Sequence, residues 1–577
     1  MNLMFYLRQL YRAFVLLLWI SFFNTAYAQS SNAQIFVPDT DNTVFRDEII
    51  HFVRSVARHQ LPQNTLVAMD YLDSKWANHY QTTNWDITVS VYYKGMLVGF
   101  AHTRGRSLSG VLQKTTSLAL KTIPKQYRSA AKLDNYRFSV AFDYLPTQQY
   151  TIIEYGKKGL ELLGNRVPTR HLTLASVDKQ LINNQNYLLR MLDRKRYGYF
   201  KFYDAGSDKP ETLLRTVYSA SALYTLLQMN AWQSQPVLES LFKPIAHFIL
   251  SNQVKSGPQK GGFYYAVDSH TKQKTCRVVV GTAAKAIFAL LAMNQRYPQD
   301  VVYLEHAKQA GNWLIKQVDM RGQVTTAAQC HDNQWQYSHK QSLLYSGQVL
   351  SALSRLYGVT KDPRYLQSAK YIVTYFIRMV ALKGPILGDD YRPANSISSS
   401  WILMGLLDYV KVDRQVSAIA SIQSIASMLL SRQITSKCDV YNHGRYLDAM
   451  TASGNGWINE VMGNFYHFCK NNPSTKQCRP YYQAMIASSR WLLQNTYAPE
   501  NTFLVKNPAR AYGGMITNFS SQTVRTDAVC HGVNSLLLLE KAIPRSVSLK
   551  EELIHFPERK LIEILPLMRA GSLPANR

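Results

Sequence analysis

The sequence predicts two parts of different fold class: an α+β domain over residues 29–172 and an all-α (α/α)6 toroid over 173–545. Two observations carry this. Apolar residues alternate with period two between about 30 and 170, then recur with the helical period from about 176 onward. Beyond that point, helices apolar on nearly every face alternate with helices apolar on one side only, six times over.

The chain opens on a leader. Arg8 and Arg12 precede the apolar stretch 13–23 (AFVLLLWISFF), and Ala26-Tyr27-Ala28 supplies the small residues a signal peptidase reads. Residues 1–28 therefore read as a signal peptide, and the mature chain starts near Gln29. No later apolar run approaches the roughly 20 residues that span a bilayer, so no stable membrane span is expected. The expected location is periplasmic or secreted.

The 577 residues carry 65 Lys and Arg against 37 Asp and Glu, a net charge of +28 that becomes +26 once the two leader arginines are removed. With 46 % hydrophobic residues the chain is neither disordered nor collagen-like. So large a charge favours an anionic polysaccharide or other acidic polymer as partner. The basic residues are spread rather than blocked, which argues against nucleic acid. All six cysteines lie in the second half. An even count in an oxidising compartment suggests disulfides. Cys469 and Cys478 flank the turn-rich KNNPSTKQ and form the safest pair. Pairing is also expected for Cys330 and Cys530, each followed by a histidine. No spacing suggests zinc, and no phosphate loop, dinucleotide fingerprint, GxSxG or HExxH occurs, so no metal or cofactor is assigned.

In the first part, 87–93 reads as a strand, Lys94-Gly95 as a turn, 96–101 as a second strand, 108–123 as a helix, and 137–142 and 150–155 as further strands. This order of strand, tight turn, Leu97-x-Gly99, helix and more strands, with the late segment KGLELLGNRVPTRHL, resembles the AMMECR-type domain. Where that family has Arg-Gly-Cys-Ile-Gly-Thr, this chain reads Val98-Gly99-Phe100-Ala101-His102-Thr103. The resemblance implies an antiparallel α+β fold and assigns no reaction.

In the second part twelve helices are expected, at 176–196, 212–230, 235–254, 278–296, 300–317, 337–358, 362–382, 391–412, 414–434, 450–469, 478–497 and 524–542. The even-numbered ones, such as TVYSASALYTLLQM and GTAAKAIFALLAM, are rich in Ala, Ser, Gly and Leu all round and belong to an inner ring. An open α-solenoid of the same pairs is the competing architecture. The run Tyr345-Ser346-Gly347-Gln348 through Tyr357, followed by Thr360-Lys361-Asp362-Pro363-Arg364-Tyr365-Leu366, resembles the helical domain of D-glucuronyl C5-epimerases and, more loosely, other six-hairpin sugar enzymes. The resemblance implies the toroid and sugar chemistry in its funnel.

In a toroid one mouth is ringed by the N-termini of the inner helices, whose free N–H groups welcome anions. The polar and aromatic residues near those starts are the candidates. Substrate binding is assigned to Arg215, Tyr218, Tyr264, Gln348, Trp401, Trp457 and Arg525, with Tyr265 beside them. The catalytic candidates are Glu460, Asp527, His531, Asp390 and Tyr345. Glu460 sits in GNGWINEVMGNF, an inner helix with almost no other charge, where a carboxylate must be paired, solvated or protonated. Asp527 and His531, spaced i, i+4, share a face and can form an acid–imidazole pair; an Asp527–Arg215 clasp sealing the ring is the structural alternative. Asp389-Asp390 in GDDYRPANS suits an acid/base element, a calcium ligand set or a cap. Two carboxylates at a suitable separation would serve hydrolysis, whereas a Tyr–His or Tyr–Arg set suits elimination or epimerisation. The function expected is thus an exported hydrolase, lyase or epimerase acting on an anionic glycan. The alternatives are a non-catalytic polymer-binding or assembly protein and an enzyme acting on a polyglutamate-like polymer.

Overall fold

The computed structural model describes residues 43–554 apart from 59–64, 81, 83, 94–95, 129–132, 134–135, 146–147, 156–157, 164–171, 333, 436–442, 450, 473–476, 499–504, 519–520 and 545. The leader 1–28 and Cys438 lie outside the described residues.

The N-terminal part is a five-stranded antiparallel sheet with helices. Its strands β1 (Trp85–Tyr93), β2 (Met96–Gly105), β3 (Tyr136–Leu145), β4 (Gln148–Tyr155) and β5 (Lys158–Leu163) run in the order β2-β1-β3-β4-β5. The period-two pattern sets the register: Ile87, Val89 and Val91 face Phe142, Val140 and Phe138 across β1 and β3, and all six are buried. Helices α1 (Thr43–Ala57), α2 (Thr65–Tyr80) and α3 (Leu108–Lys121) accompany this sheet. Of these, the sequence reading places only α3. In α1 the sequence TVFRDEIIHFVRSVA does carry a helical stripe, Phe45, Ile49, Phe52, Val53 and Val56, all buried.

From Leu174 the chain is helical. Outer helices α4 (Leu174–Met191), α6 (Pro236–Ser251), α8 (Val302–Ile315), α10 (Pro363–Lys383), α12 (Val416–Ser431) and α14 (Arg479–Gln494) alternate with inner helices α5 (Thr216–Trp232), α7 (Val280–Arg296), α9 (Leu343–Thr360), α11 (Ser396–Val410), α13 (Ala452–Asn471) and α16 (Thr526–Ala542). A single turn, α15 (Pro508–Ala511), precedes α16. Each inner helix packs on the next, and α16 packs on α5, so the ring closes and the open solenoid is excluded. The expected start of the third inner helix at 337 moves to Leu343, and that of the fourth at 391 moves to Ser396. Residue 337 instead ends the hairpin β7 (Ala327–His331) and β8 (Gln334–Tyr337), which follows the short strand β6 (Arg277–Val279) and where Gln, His and Trp are held by strand pairing rather than by helical period.

Small residues let the inner helices approach. A Cβ on Gly347 of α9 would stand 2.4 Å from the Trp401 carbonyl oxygen of α11, and one on Gly456 of α13 would stand 3.0 Å from the Gly532 amide of α16. After α15 the chain meets α4 at Gly513, at φ +83°, where an added Cβ would stand 2.2 Å from the Asn183 carbonyl oxygen. Two disulfides are present. Cys469–Cys478 forms as expected between α13 and α14, and Cys276–Cys330 ties the start of β6 to β7. Cys530 is a free, buried thiol, contrary to the expected pairing, because α16 places it on the axial side of the inner ring.

Candidate functional site

The inner helices present their side chains to the axis in layers. Counting from the first residue of each, the sixth positions are Ser221, Lys285, Gln348, Trp401, Trp457 and His531, and the ninth are Tyr224, Phe288, Ser351, Met404, Glu460 and Asn534. A spacing of three to four residues keeps these positions on one helix face. Most of them, together with Arg355, line a cavity on the axis of about 20 Å³, enough for about one water.

At its centre His531 Nδ1 lies 2.6 Å from Glu460 Oε2, and Asn534 Nδ2 donates to Glu460 Oε1 at 3.1 Å. Glu460 is therefore held by an imidazole and an amide, not by an arginine. The carboxylate fixes the Nδ1–H tautomer of the ring, and among the described residues nothing bonds Nε2. This is the arrangement in which an oriented histidine takes or gives a proton. Trp457 packs edge-on to His531 at 4.9 Å, and Trp401 stacks on Trp457 with ring centroids 3.4 Å apart.

Lys285, not among the sequence candidates, completes this layer. Its ammonium lies 4.8 Å over Trp401 and 5.3 Å over Trp457, and among the described residues it forms no ion pair or hydrogen bond. Burial lowers its pKa to about 8; Glu460 opposes this and Arg355 adds to it. The signal that could have found it is GTAAKAIFALLAM, where one lysine interrupts an otherwise apolar inner helix, as Glu460 does in α13. Deeper still, Arg355 bonds Asp408 at 2.7 Å while Lys411 and Ser351 also hold that carboxylate. Despite full burial, which alone would raise it, Asp408 falls to about 2.

The other candidate acids lie elsewhere. Asp527 does not pair with His531 or Arg215. Arg525, two residues before it, grips both its oxygens at 2.9 and 2.6 Å, and Ser453 donates to it at 3.0 Å. These bonds outweigh burial and hold Asp527 below the ordinary carboxylate range. Arg215 binds Glu211 instead, at 3.1 and 2.7 Å. Asp390 accepts from the Gln341 amide at 2.7 Å and Asp389 from the Leu343 amide at 2.9 Å, so this pair caps the start of α9. Asp448 does the same for Ser396 of α11, at 2.6 Å. Both aspartates thus make capping bonds, and among the described residues no group of three or more His, Cys, Asp or Glu converges on one point.

The aromatic candidates divide. Tyr218 accepts from Arg525 at 3.1 Å, and Tyr265 lies under Arg215 and Arg277 at 5.2 and 5.3 Å. Tyr264 points the other way along the same extended segment, with Lys274 over its ring at 5.2 Å. Tyr345 stands against Gly281, near Tyr265 and Arg277, and burial raises its phenol above the ordinary range. The structure therefore separates two groups: Glu460, His531, Lys285 and the tryptophans at the axis, and Arg215, Tyr218, Tyr265, Tyr345, Arg525 and Asp527 at the rim.

A closed ring of six inner and six outer helices makes this chain an (α/α)6 toroid protein. Its structure is similar to that of a cellobiose 2-epimerase from Bacillus thermoamylovorans B4167, with a TM-score of 0.50 at 12 % identity, covering 64 % of this chain and 99 % of that one. A D-mannose isomerase gives a TM-score of 0.48 at 12 % identity over 64 % and 97 %. A family 76 glycoside hydrolase from a bovine Bacteroides thetaiotaomicron strain gives 0.47 at 12 % identity over 79 % and 93 %. At such identities the likeness is one of fold. No family model matches the chain, and no curated protein does.

Proposed function

We propose that the protein is an exported carbohydrate-active enzyme that acts on an anionic glycan and moves a proton at a sugar carbon, as an epimerase or lyase does. The observation that carries this is the His531–Glu460 pair on the axis, with Nε2 bonded to nothing among the described residues. Of the three candidate carboxylates, Glu460 alone is neither clamped nor capping, because Asp527 is bound by Arg525 and Asp390 by a backbone amide. Hydrolysis through two carboxylates has no second member in this set. The disulfides and the leader support export, and the cationic rim supports an acidic substrate.

The Trp401–Trp457 stack favours a second reading, a non-catalytic polymer-binding protein, because the two rings in contact narrow the axis at the sixth-residue layer. A screen of acidic and neutral glycans, reading reducing ends, unsaturated-uronate absorbance and epimer ratio together, separates the two. Product formed by the wild type and lost in Glu460→Gln supports the enzyme. Binding without product on every glycan supports the polymer-binding protein.

A further inference from the structure

The rim of the toroid is not symmetric. On one half, the starts of α9, α11 and α13 are capped by oxygen side chains: Asp389 serves α9, Asn395 and Asp448 serve α11, and Thr451 serves α13. On the other half, α16, α5 and α7 begin without a side-chain cap, at Arg525, Arg215 and Val279. Their leading amides donate instead to the backbone carbonyls of Lys201, Tyr265 and Thr326, and Asp527 of α16 is the one acid in their first turns.

Cations and aromatic rings interleave along that same uncapped half. Lys201 and Arg525 lie over Phe202 at 4.6 and 5.5 Å, Arg525 bonds Tyr218, and Arg215 and Arg277 flank Tyr265. Arg215 and Arg525 are neutralised by Glu211 and Asp527. Lys201 and Arg277 make no ion pair among the described residues, although burial, Arg525 and Arg215 together already lower the Lys201 pKa. Asp527 and Glu211 offset part of this repulsion, and four cations against these two carboxylates leave the patch with two positive charges in excess, which an anion lying over it would answer.

We infer that Lys201 and Arg277, rather than the paired arginines, form a binding track for a polyanionic chain lying across the uncapped half of the rim, with Phe202 and Tyr265 holding the cations in place. This rests on the proposed anionic glycan and specifies it as a polymer that carries successive acidic groups.

The test measures binding by the mature full-length chain and needs no turnover. The probes are polygalacturonate oligomers of one to eight residues and neutral maltooligosaccharides of the same lengths, titrated over a range of salt. The expected result is affinity that rises with the number of acidic residues, with negligible binding of the neutral series. Lys201→Gln/Arg277→Gln is expected to bind at least about tenfold more weakly, with the salt slope shallower by about one for each cation removed. Lys308→Gln/Lys383→Gln on the outer helices changes the net charge equally and is expected to bind as the wild type does. Equal weakening in both double variants, equal binding of monomer and octamer, or equal binding of the neutral series would overturn the track. Loss of product in Glu460→Gln with binding intact concerns the proposed reaction alone. Thermal melting of both double variants confirms that they remain folded.

Discussion

His531 and Glu460, 71 residues apart and on different helices, are joined Nδ1 to Oε2 at 2.6 Å at the level where all six inner helices meet the axis. The bond exists because α13 and α16 approach through Gly456 and Gly532, which leaves the ninth residue of one helix level with the sixth of the next. Burying an acid and a base together is costly for stability, and their mutual bond offsets part of that cost. The pair lines the axial cavity with Tyr224, Lys285, Trp457 and Asn534, and a buried acid and base set beside a cavity rather than within solid packing support the proposed chemistry.

Lys285→Met is expected to stabilise the protein and to reduce its activity. The folded amine titrates near 8 and the unfolded one near 10.5. Between those values the unfolded chain binds more protons, so stability rises with pH, and at pH 7 the buried ammonium is a net penalty. Removing it is expected to add roughly 1–2 kcal/mol at pH 7, allowing for the water that reaches this side chain. Denaturant melts of wild type and variant at pH 7 and 10 check this. The gain should shrink at the higher pH.

Asp408 behaves in the opposite sense. Its carboxyl titrates at about 2 against 3.8 when unfolded, so its contribution is present above pH 4 and lost as the pH falls from 4 to 2. The difference corresponds to about 2 kcal/mol. Asp408→Asn leaves Arg355 without its charge partner and is expected to lower stability by about 3 kcal/mol at pH 7. Acid unfolding curves should show the variant losing less stability than the wild type below pH 4.

Cys530 is expected to be inert in the native protein. Burial pushes its thiol up to about 12, so at pH 8 almost none is thiolate. Iodoacetamide at pH 8 should label Cys530 only after unfolding, as read by peptide mass spectrometry.

Much of this architecture is legible in the sequence. The inner helices announce themselves because a helix buried on all sides is apolar on all sides, and α5 and α7 fall within a few residues of their expected bounds. Glu460, His531, Trp401 and Trp457 are legible because a charge or a large ring in such a helix has few places to go. The partnerships are not. Asp527 and His531 share a helix face by spacing, yet Arg525 lies closer to the acid and the neighbouring helix brings Glu460 to the imidazole. Which partner wins depends on how neighbouring helices pack, and local period does not encode it. The same holds for Tyr264 and Tyr265, adjacent in sequence and separated only by the alternation of an extended strand. Lys285 is not among the candidates because these are drawn from the acids and from residues near the helix starts, whereas its partners Trp401 and Trp457 come from helices that only ring closure brings to it.

The proposed proton transfer at a sugar carbon by His531, oriented by Glu460, is open to a direct measurement. Solvent-deuterium incorporation into acidic oligosaccharides is followed by mass spectrometry and proton NMR for wild type, His531→Asn and Glu460→Gln. With the wild type the expected product carries deuterium at one sugar carbon if the enzyme epimerises, or a new carbon–carbon double bond if it eliminates. The expected losses are about 100-fold or more with His531→Asn and about 10- to 1000-fold with Glu460→Gln, with the double variant little worse than His531→Asn alone. Incorporation or elimination that persists in His531→Asn, or wild-type product that carries neither carbon-bound deuterium nor a new double bond, would contradict the assignment.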